Sequence, residues 1–150
     1  MAPNKPLKLP LAAAEVDRAA HLRSDESYLT SSWPTAQVLI FTDEKFATKD
    51  DQLFYESGAS LGQYQDQNDY FLGTKDSKAY FVRDLQSGEI AGLDFKTLRQ
   101  IGASLSPTDI GLAVHAQALA NWHKKHPRCS QCGSTTKVVL AGAVRRCEAD

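Results

Sequence analysis

The sequence predicts an α+β fold, a small and mostly antiparallel sheet with helices, followed by a short cysteine-bearing hairpin. Three observations carry this. Gln37-Val-Leu-Ile-Phe-Thr42 is a compact apolar, β-branched run bounded by Pro34 and by Asp43-Glu44, the pattern of a buried strand. Ser106-Pro107-Thr108-Asp109 opens the clearest helix. It offers a serine N-cap, a proline at the first helical position and an aspartate that favours the dipole. Finally, Cys129, Cys132 and Cys147 all fall within the last 22 residues.

The other elements are weaker. Residues 1–10 are rich in proline and lysine and read as a loose N-terminus. A helical turn or two is expected around Ala12–Arg23, punctuated by Ser24 and Asp25. Phe46 and Leu53–Tyr55 are faint strand signals, and 56–69 reads as a loop. Tyr70–Leu72 and Ala79–Leu85 flank Gly73–Ser77 as a hairpin, which Ser87-Gly88 closes. Asp94 is expected to cap a short helix holding Leu98, Arg99 and Ile101. In the main helix Leu112, Ala116, Leu119 and His123 share one stripe. Lys124, Lys125 and His126 suit its C-terminus, and Pro127 ends it.

Composition narrows the classes. With 150 residues and 42% apolar content, a core forms without disulfides. A net charge of -1 argues against the whole chain acting as a nonspecific nucleic-acid binder. No run of 18 apolar residues exists, so no membrane association is expected, and Met1–Pro10 lacks a signal-peptide core. An odd cysteine count at Cys-x-x-Cys spacing suits a metal site in a reducing compartment better than a disulfide framework. The cytoplasm is the expected location.

Cys129-Ser-Gln-Cys132-Gly133 has the form of a zinc knuckle. The two-residue gap lets both sulfurs face one ion, and the glycine permits the tight turn. Val138–Leu140, Ala141-Gly142 and Ala143–Arg146 then read as a β-hairpin leading to Cys147. The whole is an incomplete zinc-ribbon hairpin. A tetrahedral site needs a fourth ligand. Asp150 stands where a second Cys-x-x-Cys would place its final cysteine. The fourth donor is Asp150 itself, a residue beyond this chain, or none, with the knuckle held by hydrogen bonds; His126 ranks below the first two, because Pro127 already ends the helix there. The role expected for Zn²⁺ is structural, because no open-site His/Glu set accompanies it. Ile110–Cys147 holds six Lys/Arg and no acidic residue. That is either a phosphate-tracking surface or, with slightly more weight, compensation for an anionic thiolate site.

No glycine loop or nucleophile elbow is present. The nearest two of the six glutamates are eleven residues apart, so no cluster for Mg²⁺ or Mn²⁺ is visible. Asp50-Asp51 reads as a solvated loop pair, and His115 as a packed helix histidine.

The run Ser106–His123, followed by His126-Pro-Arg-Cys129-x-x-Cys132-Gly133, resembles the NADH pyrophosphatases, Nudix hydrolases that are also NAD-cap RNA decapping enzymes. Leu9–Ala20, Arg23–Asp25 and Thr97–Gln100 are similar to the same family, especially its actinobacterial branch. The resemblance implies an N-terminal α+β domain over 11–125, a truncated zinc ribbon over 126–150, and a catalytic Nudix domain that is absent. It implies hydrolysis of NAD(H) to NMN(H) and AMP by the parent enzyme, with Mg²⁺ or Mn²⁺ only in the missing domain, and a homodimer. This chain alone is expected to be catalytically incomplete. Cys129, Cys132 and Cys147 match the first three zinc ligands, while Asp150 replaces the fourth cysteine. Arg99 matches a basic position that faces an RNA substrate, and also reads as a solvated helix arginine. The alternative is a free-standing zinc-ribbon module that binds RNA or protein.

Overall fold

In the computed structural model, residues 15–150 are described. The expected loose segment 1–10 and the start of the Ala12–Arg23 turn lie outside them. The elements in order are α1 (Glu26–Ser32), β1 (Gln37–Thr42), β2 (Lys45–Lys49), β3 (Gln52–Leu53), β4 (Tyr55–Ser57), β5 (Asp69–Lys75), β6 (Lys78–Asp84), β7 (Asp94–Thr97), α2 (Leu98–Ile101), α3 (Pro107–Lys125), β8 (Thr136–Val139) and β9 (Val144–Cys147). The sheet runs β3-β2-β1-β6-β5, with β4 also on β1 and β7 also on β2. Every pairing is antiparallel except β1 with β6. The fold is α+β, as the sequence predicts.

The apolar run of β1 is explained by cover on both faces. Successive side chains point to opposite sides. Leu39, Phe41, Tyr70, Leu72 and Val82 pack under α2 and α3 through Ile101, Leu112 and Ala116. Val38, Phe71, Ala79 and Phe81 pack on the other side under Leu29 and Trp33. Each fully buried Phe or Leu contributes roughly 1.5–3 kcal/mol relative to exposure.

Acidic residues do the turning. Asp43-Glu44, Asp50-Asp51 and Asp76-Ser77 all take positive φ, which two-residue hairpin turns require and short polar side chains tolerate. The pair Asp50-Asp51 is therefore a turn, and Asp51 meets Lys96.

Two expectations change, and a third is met in part. Of the helical turn or two expected around Ala12–Arg23, the described part shows one 3-10 turn at Ala20–Ser24, preceded by a bridge from Asp17 to Thr74 on β5. Asp25 does not merely punctuate: its side chain accepts from the Tyr28 N–H and starts α1. Asp94 begins a strand rather than a helix. Thr97 caps α2 in a reciprocal box with Gln100. The main helix follows its sequence signals: the Ser106 side chain accepts from the Asp109 N–H, and Leu112, Ala116 and His123 are buried.

Candidate metal centre

The last twenty-odd residues form a two-stranded ribbon, β8 against β9, with Thr136 opposite Cys147 and Val139 opposite Val144. Before it, the chain turns tightly. The Gly133 N–H donates to the Cys129 carbonyl at 2.9 Å, and the Cys129 N–H to the Ser134 carbonyl at 2.8 Å. Gly133 sits at φ 74, a conformation that costs glycine little. This turn folds Cys132 back toward Cys129, while β9 delivers Cys147 from the other side.

The result is a cluster of three thiols whose sulfurs lie within 4.8 Å of one another. Cys132 and Cys147 approach to 3.5 Å between sulfurs. Two sulfurs on one zinc ion, each at about 2.3 Å, stand about 3.8 Å apart in a tetrahedron. The spacing therefore fits a metal ion of that kind. Hydrogen bonds from Ser134, side chain and backbone, and then from Cys147 and Cys129 lower the Cys132 pKa to about 7. The Ala149 N–H points at the Cys147 sulfur at 3.4 Å, as backbone amides do around thiolate ligands. Three close cysteines can hold a metal ion here.

The other residues named from the sequence stand apart. Asp150 is exposed and does not belong to the set of mutually close donor atoms. His126 Nδ1 lies 2.9 Å from the Trp122 carbonyl, closing the end of α3. Arg99 is exposed on α2. It rims a groove of about 670 Å³ between α2 and α3. His115 is half-buried, and its pKa falls to about 4 through burial, then Arg18 and Arg23.

What the sequence does not signal is how firmly the ribbon is docked. Val138 is buried in the same core as α3, not left bare on the hairpin, whereas Leu140 is 41% exposed. Gln67 grips the backbone of Val138 with its amide, donating to the carbonyl at 3.0 Å and accepting from the N–H at 2.9 Å. The Phe71 N–H on edge strand β5 donates to the Ala141 carbonyl at 3.0 Å. His123 Nε2 meets the Gly142 carbonyl at 2.9 Å, and Arg145 meets its Nδ1 at 3.1 Å. Since a carbonyl and a guanidinium can only accept and donate respectively, His123 is neutral with its proton on Nε2. Burial, with Arg145 adding to it, lowers its pKa to about 4. Gly142 allows this approach: a Cβ there would lie 2.6 Å from the Tyr70 Cβ, and its φ is 93.

The six glutamates have separate surroundings. Glu15 binds Lys75 and Thr108, Glu44 accepts from Gln117, Glu89 pairs with Lys45, and Glu148 accepts from Thr135. Glu56 accepts from the neighbouring Ser57 N–H, and Glu26 sits in the first turn of α1. Among the described residues no helix is long and apolar enough to cross a membrane.

Comparison with known proteins gives a family. No curated protein matches the chain. A family model described as "NUDIX-like: NADH pyrophosphatase-like rudimentary NUDIX domain" matches residues 16–122, the sheet together with nearly all of α3. That match covers more than two thirds of the sequence, and the chain belongs to the family of NADH pyrophosphatase-like rudimentary Nudix domains.

Proposed function

We propose that this chain is the N-terminal accessory and zinc-ribbon portion of a Nudix NAD(H) pyrophosphatase. The domain boundaries follow the sequence: 11–125 for the α+β part and 126–150 for the ribbon. The observation that carries the reading is the order of parts, a family-matched domain ending in α3 with the three-thiol cluster directly after it. In the parent enzyme, NAD(H) is hydrolysed to NMN(H) and AMP, and NAD caps are removed from RNA. The cation that such chemistry needs, Mg²⁺ or Mn²⁺, belongs to a catalytic Nudix domain with clustered carboxylates. The scattered glutamates of this chain support that division of labour.

Cys129, Cys132 and Cys147 would hold Zn²⁺; Asp150, which stands outside this cluster, would have to move in to serve as the fourth donor, the alternative being a donor from beyond this chain. The ion supplies a cross-link for a hairpin too small to own a core. Thiolate ligation favours a reducing compartment, the cytoplasm. The homodimer of the family completes the reading. The purified chain, given NADH with Mg²⁺ or Mn²⁺, should yield no NMNH or AMP by chromatography. It should carry one zinc per chain, lost in Cys147→Ser. Product formation, or a zinc-free wild type that keeps its ribbon, would overturn the reading.

One observation favours a second reading, a module that binds RNA on its own. Ile110–Cys147 is wholly basic in its charges, and Arg99 is exposed nearby in sequence. Phosphate contacts strengthen as salt falls, so single-stranded RNA binding that weakens steeply with salt, and weakens further in Arg99→Gln, is the expected sign. Indifference to RNA at low salt would rule it out.

A further inference from the structure

Arg23 is half-buried, and among the described residues no carboxylate pairs with it. It lies in the 3-10 turn Ala20–Ser24, with its guanidinium 5.5 Å from the centre of the Phe71 ring. Its Nη1 is buried with no hydrogen-bond partner. None of the ion pairs among the described residues involves it. Residues 1–14 contain no Asp or Glu, so they bring no carboxylate to answer the charge. A guanidinium presents five donors and keeps its proton, and native structures rarely leave such a donor unmet unless a ligand or ion meets it. Burial and then the charge of Arg18 lower its pKa.

Arg23 lines a cavity of about 460 Å³ between α1 and the β8–β9 hairpin. Arg146 of β9 reaches the same cavity, and it too is absent from the ion pairs of the described residues. Tyr64 and Leu140 give apolar wall, while Glu26 and Asp66 bring two exposed carboxylates that pair with neither arginine. The volume falls within the roughly 300–1,000 Å³ of small-molecule sites.

We infer that this cavity binds a nucleoside monophosphate, with Arg23 and Arg146 on the phosphate, Glu26 and Asp66 on the sugar hydroxyls, and the base against Leu140. Guanidinium forks match phosphate oxygens. Carboxylates accept from ribose hydroxyls, as the acidic residue of dinucleotide-binding folds does. A purely anionic ligand would leave the two carboxylates opposed to it; a sugar phosphate uses both signs of charge. The inference involves no step of pyrophosphate hydrolysis and does not depend on the metal centre.

Calorimetric titration of the full chain with AMP, inorganic phosphate and adenosine tests it. AMP should bind at least tenfold more tightly than phosphate or adenosine. Arg146→Gln, a change at an exposed side chain, should weaken AMP at least tenfold, and Asp66→Asn should weaken AMP without weakening phosphate. Arg23→Gln should abolish binding, but Arg146→Gln decides the matter even if that variant misfolds. Equal affinity for phosphate and AMP would overturn the nucleotide assignment. No heat with AMP, or undiminished binding in Arg146→Gln, would overturn the site itself.

Discussion

Phe81 and Cys147 occupy opposite kinds of surroundings. Phe81 is fully buried in the middle of the sheet, edge-on to Trp33 and Phe71. Cys147 lies on a two-stranded hairpin whose own buried apolar contribution is Val138 and Ala141. A sheet covered on both faces is stabilised by area removed from water. A lone hairpin is marginal in water, so the ribbon leans on its docking against β5, Gln67 and His123, and its three close thiols can hold a metal ion as a second support. One chain thus contains a body that stands by burial and an appendage that stands by specific bonds.

The largest test of the body is the ion pair beneath it. Arg83 donates to both oxygens of Asp69 at 2.7 and 2.6 Å, and to the Leu61 and Gln63 carbonyls, while stacking 5.0 Å from the Trp33 ring centre. Arg83→Ala leaves a buried carboxylate alone and should cost about 3–5 kcal/mol by denaturant titration. A cost under about 1 kcal/mol would mean that apolar area alone holds the body.

Next comes the histidine at the seam between the two regions. With a folded pKa of about 4 against an ordinary 6.5, His123 binds its proton more readily when the chain is unfolded. Stability is therefore complete above pH 6.5 and declines as pH falls from there toward 4. The loss should reach about 3 kcal/mol at most. His123→Gln should flatten about half of the combined slope, leaving a comparable share from half-buried His115, whose pKa also falls to about 4. An unchanged slope would place the titration elsewhere.

Smaller still is the clamp. Gln67→Ala leaves the buried backbone of Val138 unpaired and should cost about 1–3 kcal/mol. The cost should show as faster amide exchange in β8 and β9 with little change in β1 and β6. The smallest effect on the body belongs to Cys147→Ser. It should remove thiolate-to-metal charge-transfer absorption on cobalt addition, yet change the unfolding free energy of the sheet by no more than about 0.5 kcal/mol.

Local signals made much of this legible in the sequence. The β1 run, the β5–β6 hairpin, the Ser106 cap and the Cys-x-x-Cys turn each depend on neighbours along the chain. Asp25 misled because aspartate serves both as loop punctuation and as an N-cap. Strand β7 was hidden because Asp94–Thr97 alternates weakly and gains its pairing from β2. The parallel pairing of β1 with β6 and the grip of Gln67 on Val138 join residues far apart in sequence, where no local pattern marks them. The three cysteines were visible as a set, whereas the meeting of Arg23 and Arg146 at one cavity required the ribbon to be docked first.

The proposal that the ribbon relies on an ion while the sheet does not is tested most directly by amide hydrogen exchange of the zinc-loaded chain with and without a strong chelator. The expected result is fast exchange over residues 129–149 on chelation, with β1, β5 and β6 as protected as before. Unchanged protection in the ribbon would contradict a structural ion at Cys129, Cys132 and Cys147. Loss of protection throughout would contradict the independence of the sheet.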